Sequence, residues 1–303
     1  MQSNTNVVEI QNLTRRYGKT HALDDVSLTL QAGMVYGLVG ANGAGKTTLI
    51  KHLLGLLRPQ AGTVRVLGKD PIQDPVEVLS RLGYLSEERE LPEWMRIDEL
   101  LKYSAAFYPN WDQAYARELM NTFRLDGSKK IKHLSKGMRA QAGLVAAVAH
   151  HPELLLLDEP STGLDAVVRK DILNAIIRAV ADNGRTALFS SHLLDEVELM
   201  SDYVFMIDGG RLILQGELEQ ITQQHHVLSL RTESVSHAFP TLAGMLAIER
   251  SGATWNGVFQ GNDNELQIAL DRAGVQILQQ RNASLQEIFV ASVGRKQEVI
   301  CAK

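Results

Sequence analysis

The chain has 303 residues, a formal net charge of −4 at pH 7 and a hydrophobic share of 45%. The length predicts about two globular domains, and the acidic balance argues against a nucleic-acid partner. The one cysteine, Cys301, excludes an intrachain disulfide and a cysteine metal site. Residues 1–6 are polar and no apolar run is long enough to span a bilayer, so we expect any work at a membrane to proceed through a partner.

The first part of the chain is predicted to consist mainly of strands. Hydrophobic patterns place these strands at 7–13, 26–30, 34–39 and 63–67. A turn is expected at Gly18, and a helix at 48–54 follows a glycine-rich loop. Residues 97–149 have a mostly helical pattern, with breaks near Pro109 and Gly127.

The middle of the chain alternates strand, helix and strand, at 154–157, 167–181 and 186–190. This alternation predicts parallel strands joined by right-handed crossovers, which is typical of an α/β domain. Two further strands, 203–207 and 211–214, flank the hairpin signal Asp208-Gly209-Gly210.

Composition shifts near residues 223–226, and we place the boundary between two predicted domains there, 1–224 and 225–303. The second domain contains predicted strands at 227–231, 254–259 and 275–278. Its last helix is predicted at 285–293, with Ser284 as the N-cap. The pattern indicates a small α+β domain without a chemical motif.

The most informative segment is the glycine-rich loop before the helix 48–54. It matches the phosphate-binding pattern G-x-x-x-x-G-K-[ST], in which lysine reaches the β- and γ-phosphates and the last hydroxyl binds Mg²⁺. Glycines let successive N–H groups point into one concavity, and the helix start favours anionic phosphate. A plain glycine-rich turn is the alternative. The residues assigned to nucleotide binding are Gly40, Asn42, Gly43, Ala44, Gly45, Lys46, Thr47 and Thr48.

Two carboxylates, Asp158 and Glu159, end the apolar run 154–157. A buried parallel strand explains the run, and ligands gather at the carboxyl ends of such strands. Asp158 is then placed to hold Mg²⁺, and Glu159 to polarise an attacking water as general base. The alternative is a strand that ends in a solvated acidic turn. The presence of a phosphate loop in the same chain disfavours it.

Two other residues are assigned a function only because the chain contains a phosphate loop. Ser135 occupies the N-cap position of a predicted helix, which is either an ordinary cap or a second anion-binding helix start. His192 follows the strand 186–190, where it can donate to a γ-phosphate and respond to its loss, although a single histidine is usually structural.

Five segments stand in one order: the phosphate loop, 134–138, 154–159, 163–165 and His192. With the wording LDEPSTGLD at 157–165, they resemble the nucleotide-binding subunit of an ATP-binding cassette (ABC) transporter over residues 7–222. The tail resembles the accessory domain of bacterial exporter ATPases whose membrane helices belong to a separate subunit. The resemblance implies a P-loop NTPase fold of the α/β class, with an antiparallel β subdomain and a helical subdomain at about 88–150.

The resemblance also implies a role for residues of the chain's own ATP site. Tyr17 would stack on adenine, and Thr47 and Asp158 would hold Mg²⁺. Glu159 would be the catalytic carboxylate and His192 the switch histidine.

A second set of residues is implied to act on the ATP of another copy of the chain. Ser135 and Gly137 would bind that nucleotide, and Asp165 would lie in the loop that couples the two sites. Two chains would then meet head-to-tail around two ATP molecules, which is an isologous two-fold dimer.

The sequence departs from the family pattern at two places. Glu87 stands where the family usually has glutamine; its carboxylate can still bind Mg²⁺ and nucleotide, but it adds negative charge near phosphate. In the segment 134–138, Lys136 and Met138 replace a glycine and the glutamine of the usual Leu-Ser-Gly-Gly-Gln. Lys136 either adds a cation near the γ-phosphate or, as we favour, faces solvent.

The implied function is a peripheral, ATP-hydrolysing subunit at the cytoplasmic face of the plasma (inner) membrane. Its partners would be a second copy of itself and separate transmembrane permease subunits, and the tail favours export. One alternative is a regulatory ATP binder with little turnover, which Glu87 and Lys136 keep open. Another is a soluble ABC ATPase that acts on ribosomes or DNA, which the single phosphate loop and the lack of a long coiled coil disfavour.

Overall fold

The computed structural model describes residues 6–181, 184–232, 243–251, 254–273 and 275–301, and residues 1–5 lie outside them. The chain divides into two compact units. The first unit comprises Met1–Leu193 with Met200–Leu214, and the second comprises Leu194–Leu199 with Gln215–Lys303. The main part of the second unit begins at Gln215, before the boundary predicted at residues 224–225. Because the predicted boundary rests on composition alone, the extent of each domain stays a prediction.

Two sheets build the first unit. Its strands are β1 (Asn6–Tyr17), β2 (Thr20–Gln31), β3 (Val35–Val39), β4 (Ala61–Val66), β5 (Leu82–Leu85), β6 (Leu154–Asp158), β7 (Thr186–Ser191), β8 (Tyr203–Asp208) and β9 (Arg211–Glu217). One sheet has the order β5-β6-β7-β3-β8-β9, with parallel pairing from β5 to β8. The other has the order β2-β1-β4 and is antiparallel. These two sheets confirm the predicted α/β class and the predicted antiparallel β subdomain.

The helices of the first unit lie between its strands. They are α1 (Lys46–Leu53), α2 (Pro75–Leu79), α3 (Ile97–Ala105), α4 (Gln113–Thr122), α5 (Lys136–Val148) and α6 (Ala166–Ala181). Helices α3 to α5 fall in the predicted helical region, and the breaks between them lie at the expected positions near Pro109 and Gly127. Within the described residues, no helix is long and apolar enough to cross a membrane.

The apolar run of β6 forms the middle of the core. Residues 154–157 are each at most 2% exposed, and full burial of one leucine side chain contributes about 1.5–3 kcal/mol to stability. A strand buried on both faces needs such a run, because helices or a second sheet cover both of its sides. The run therefore carries its last residue, Asp158, into the interior, where Asp158 is 1% exposed.

Strand register determines which residues meet at the carboxyl edge of the six-stranded sheet. Val39, the last residue of β3, pairs with Ser191 at the end of β7. Asp158, the last residue of β6, pairs with Ser190 of β7. Since parallel strands end at the same edge, the segments that follow β3, β6 and β7 come together there.

The second unit is an antiparallel sheet with helices, which confirms the α+β prediction for this part. Its elements are α7 (Leu194–Met200), α8 (Leu218–Gln223), β10 (His225–Thr232), β11 (Met245–Ser251), β12 (Thr254–Gln260), α9 (Asp263–Ala273), β13 (Val275–Asn282) and α10 (Leu285–Cys301). The sheet order is β11-β12-β10-β13. Ser284 caps α10 as expected: its hydroxyl accepts from the Glu287 N–H at 3.3 Å, and its own N–H donates to the Glu287 carboxylate at 2.9 Å.

Candidate functional site

The phosphate loop leads from the end of β3 into the first turn of α1. Gly43 and Gly45 have φ angles of 80° and 115°, and a Cβ at Gly45 would lie 2.3 Å from the Ala22 carbonyl oxygen. Only glycine fits that backbone, so the sequence requirement follows from the fold. Gly45, the N-cap of α1, has no side chain that could accept from the first N–H groups of the helix. These N–H groups are therefore available to an anion.

Lys46 lies across this loop and is 6% exposed. Its ammonium donates to the Gly40 carbonyl oxygen at 2.7 Å and to that of Ala41 at 3.3 Å. The same ammonium lies 3.2 Å from Glu159 Oε1. The phosphate loop and the acidic end of β6 are therefore joined by a buried ion pair, as the predicted shared site requires.

Asp158 is fixed by a hydroxyl of the neighbouring strand. Ser190 Oγ donates to Asp158 Oδ1 at 2.6 Å and accepts from the Glu159 N–H at 3.0 Å. Burial raises the pKa of Tyr84 to about 12, and the charge of Asp158 adds to that rise. Ser190 therefore orients the Asp158 carboxylate and anchors the backbone of Glu159, a role that was not predicted from the sequence.

Glu159 is buried, at 4% exposed, and has a left-handed φ of 49°. Its Oε2 accepts from Thr162 Oγ1 at 2.7 Å and lies 2.7 Å from His192 Nδ1. The structure thus brings together Lys46, Glu159 and His192, and adds Thr162 as a partner that sequence patterns did not indicate.

The residues predicted to bind Mg²⁺ offer the oxygen atoms that it prefers, but they do not form a complete set of ligands by themselves. Thr47 is at the start of α1 and Asp158 at the end of β6, while Glu87 is exposed after β5. Among the described residues, no group of three His, Cys, Asp or Glu side chains is placed to hold a metal ion.

Residues 134–138 form a separate feature at the start of α5. Ser135 is the exposed N-cap, and its hydroxyl accepts from the Met138 N–H at 3.2 Å. Gly137 is buried against Val168, since a Cβ there would lie 3.0 Å from a methyl of that side chain. Lys136 is exposed, and its ammonium lies beside Gly163, where an added Cβ would be 2.4 Å from Nζ.

Two predicted residues lie at the periphery of these features. Asp165 caps α6, because its carboxylate accepts from the N–H groups of Val167 and Val168 at 3.1 Å each. Tyr17 is 47% exposed at the end of β1, with the Arg15 guanidinium 4.9 Å above its ring. An exposed ring of this kind is available for stacking.

The start of α5 is not connected to the phosphate loop of the same chain. In residues 6–181, which contain both segments, no hydrogen bond or ion pair joins 134–138 to 40–47. Each segment nevertheless presents the features of an anion site. The described chain therefore carries two such features that do not complete each other.

The fold and the site together define a P-loop nucleotide hydrolase, and comparisons with known proteins name its family. The chain matches the ABC transporter family model over residues 23–162. It is 36% identical over 234 residues to the daunorubicin/doxorubicin resistance ATP-binding protein DrrA of Streptomyces peucetius, covering 75% of this chain and 71% of the relative. It is 26% identical over 291 residues to the ABC transporter ATP-binding protein YtrB of Bacillus subtilis, covering 96% and 99%.

A solved structure agrees with these relatives. An ATP-binding subunit of an ABC transporter is 30% identical and superposes with a TM-score of 0.66, over 72% of this chain and 92% of that one. The chain belongs to the ABC transporter family, as one of its ATP-binding subunits. It is an ABC ATPase, and the predicted P-loop fold is confirmed.

The Ser190 contacts allow a test of how the acidic pair is held. We expect Ser190→Ala to lower the free energy of unfolding by about 1–3 kcal/mol, because Asp158 and the Glu159 N–H both lose a buried partner. ATP turnover should fall severalfold as well, since the Asp158 carboxylate is no longer oriented and the backbone of Glu159 loses an anchor. Denaturant unfolding and steady-state phosphate release measure the two effects.

Thr186→Ala is the matched control for this variant. Thr186 is on the same strand and buried, but its hydroxyl accepts from the Gly33 N–H at 2.9 Å, at the other end of β7. It should lose stability without losing turnover. A Ser190→Ala chain that is as stable and as active as the wild type would contradict the assignment.

Proposed function

We propose that this chain powers a membrane transporter by binding and hydrolysing ATP between two copies of itself. The observation that carries the proposal is the buried network in which Glu159 lies 3.2 Å from Lys46 Nζ and 2.7 Å from His192 Nδ1. Between the phosphate-loop lysine and the histidine, the Glu159 carboxylate would lie beside the terminal phosphate of a bound nucleotide. It can therefore act on water at that phosphate.

Each residue of the network has a chemical task. Lys46 leaves the Gly40 and Ala41 carbonyls to bind the β- and γ-phosphates, while the N–H groups of the loop bind the remaining oxygens. Glu159 accepts a proton from the water that attacks the γ-phosphate, as general base. His192 and Thr162 hold the Oε2 side of the carboxylate in place. Mg²⁺ would be held by Thr47 and Asp158, with Glu87 as the third predicted ligand, and would neutralise phosphate charge.

The second anion feature supports a composite site. Ser135 is exposed at the start of α5 and has no contact with its own phosphate loop. In a head-to-tail dimer, Ser135 and the backbone near Gly137 would bind the γ-phosphate held by the partner, and Asp165 would lie at the junction of the two sites. The dimer closes because ATP bridges the chains, and it opens when hydrolysis removes that bridge.

Transport rests on the family and on the relatives. ABC transporter ATP-binding subunits act with membrane proteins, and the described helices include none that could span a bilayer. The name of the Streptomyces relative refers to drug resistance, which favours export. We therefore place this chain at the cytoplasmic face of the plasma membrane, bound to separate permease subunits, with no nucleic-acid partner.

The proposal is tested by coexpression with the membrane proteins encoded beside the chain's gene. We expect copurification in detergent, and ATP turnover that changes when the permease is present. Lys46→Ala should still copurify but should not hydrolyse ATP, since it removes the phosphate ligand and not the docking surface. A chain that neither copurifies with any such protein nor changes its turnover would contradict a role in transport.

A further inference from the structure

The loop after β5 contains a buried arginine that the proposed mechanism does not use. Arg89 is 3% exposed and has a left-handed φ of 51°. Its backbone N–H donates to the Ser86 carbonyl oxygen at 3.2 Å and to Ser86 Oγ at 3.1 Å. These bonds close residues 86–89 into a compact turn, the Glu87 loop, which directs the arginine side chain inward.

The guanidinium of Arg89 bonds to the segment that follows Glu159. One terminal nitrogen, Nη2, donates to the Pro160 carbonyl oxygen at 3.2 Å and to that of Thr162 at 2.9 Å. The other two nitrogens, Nε and Nη1, are buried and have no hydrogen-bond partner in the described part of the chain. Within the same residues, no carboxylate forms an ion pair with this arginine.

A cation in this position is costly to the fold. Burial lowers the pKa of the Arg89 guanidinium, which shows that the charged form is penalised there. A methionine of similar volume would fill the space without bringing a charge out of water. The two carbonyl bonds therefore point to a task other than packing.

The bonds of Arg89 lead to the carboxylate that we assign as the general base. Thr162, whose carbonyl accepts from Arg89, donates its hydroxyl to Glu159 Oε2 at 2.7 Å. The Thr162 N–H also donates to the Glu159 carbonyl oxygen at 3.3 Å. A fixed backbone at Pro160 and Thr162 therefore fixes the hydroxyl that orients Glu159.

We propose that Arg89 is a positioning residue through which the Glu87 loop sets the orientation of the Glu159 carboxylate. The inference rests on the proposed role of Glu159 as general base. When the Glu87 loop moves, Nη2 moves with it, and the Pro160–Thr162 segment loses its anchor. Thr162 Oγ1 then leaves Glu159, and hydrolysis slows although ATP stays bound. The loop thereby controls turnover rather than affinity.

The experiment is a double-mutant cycle on the purified full chain, with Arg89→Met, Thr162→Val and both together. Each single variant should lower kcat by about 10–100-fold, as misplacement of a reacting group does, with KM for ATP within about threefold of the wild type. The double variant should be no slower than the slower single one, because both remove the same link. Arg89→Lys keeps a donor and should recover part of the lost kcat.

Arg81→Met is the control for removal of an arginine beside the same strand. Arg81 immediately precedes β5, and its Nε lies 2.6 Å from Glu153 Oε1, so its loss should leave kcat and KM unchanged. If Arg89→Met does not fold, Arg89→Gln, which also removes the guanidinium, takes its place in the cycle with Thr162→Val. A kcat within twofold of the wild type in the folded Arg89→Met or Arg89→Gln chain, or losses that multiply in the double variant, would overturn the inference.

Glu159→Gln, measured beside these variants, separates this inference from the proposed function. If Glu159→Gln stays active, the general-base assignment fails, and the positioning role loses its target. If Glu159→Gln is inactive and Arg89→Met keeps its kcat, only the positioning role fails.

Discussion

Glu159→Gln should lower the kcat for ATP hydrolysis by about 10²–10⁴-fold, the usual contribution of a general base. Glutamine keeps the size and one acceptor oxygen of the side chain, so it can still take a hydrogen bond from Thr162 or His192. It cannot take a proton from water. Phosphate release at saturating ATP measures the loss.

ATP binding should survive this substitution. In the wild type, Lys46 Nζ lies 3.2 Å from Glu159 Oε1, and a neutral amide no longer competes with phosphate for that ammonium. We therefore expect the Kd for ATP to be equal to or lower than that of the wild type. Glu153→Gln is the control, since Glu153 precedes the same strand but pairs with Arg81. Undiminished hydrolysis by Glu159→Gln would contradict the assignment.

Ser135→Arg should abolish ATP-dependent dimerisation and leave ATP binding to the single chain intact. Charge-assisted hydrogen bonds contribute about 1.5–3 kcal/mol each, so loss of two at each interface site corresponds to at least a 100-fold weaker dimer. The arginine would also fill the exposed position at which a partner's phosphate must approach. Light scattering with MgATP, in the Glu159→Gln background that holds ATP, measures the dimer.

Ser135→Asp separates the cap of α5 from the contact with phosphate. Aspartate is a good N-cap, so the hydrogen bond from the Met138 N–H and the helix should be retained. Its charge would repel the partner's γ-phosphate, and this variant should therefore stay monomeric too. A Ser135→Arg chain that dimerises with ATP as the wild type does would contradict the proposed interface.

The catalytic elements of the first unit were predictable because their residues follow simple local rules. The run 154–157 is typical of a doubly buried strand, and the glycines at 43 and 45 adopt the left-handed angles that the phosphate-loop pattern requires. The ends of β3, β6 and β7 then had to meet, because parallel strands share an edge.

The contacts that orient Glu159 were not predictable in the same way. Ser190 lies in a buried strand, and Thr162 lies in a turn. Neither residue stands out in the sequence. Their roles depend on the pairing of Asp158 with Ser190 across two strands and on the left-handed turn at Glu159. Register and a single φ angle are set by the whole fold rather than by local sequence.

In the second unit, some whole helices and strands were not predicted from the sequence. They are α7, α8, β11 and α9, of which α9 nevertheless carries a readable start signal. Asn262 accepts from the Glu265 N–H at 2.9 Å, and its own N–H donates to the Glu265 carboxylate at 3.0 Å. Asparagine followed three residues later by glutamate is a capping-box pattern, with Leu266 and Leu270 on the buried face. Strand β11 has no such signal.

In the proposed dimer, each ATP site combines the phosphate loop of one chain with the start of α5 of another, and subunit mixing distinguishes this arrangement from a site completed by one chain. Lys46→Ala lacks a working loop and Ser135→Arg lacks a working helix start, so each variant should be inactive alone. In an equal mixture, only mixed dimers contain an intact site, formed by the loop of the Ser135→Arg chain and the helix start of the Lys46→Ala chain, so turnover should rise to at most about half that of the wild type. Turnover no greater than the sum of the two separate variants would contradict the composite site.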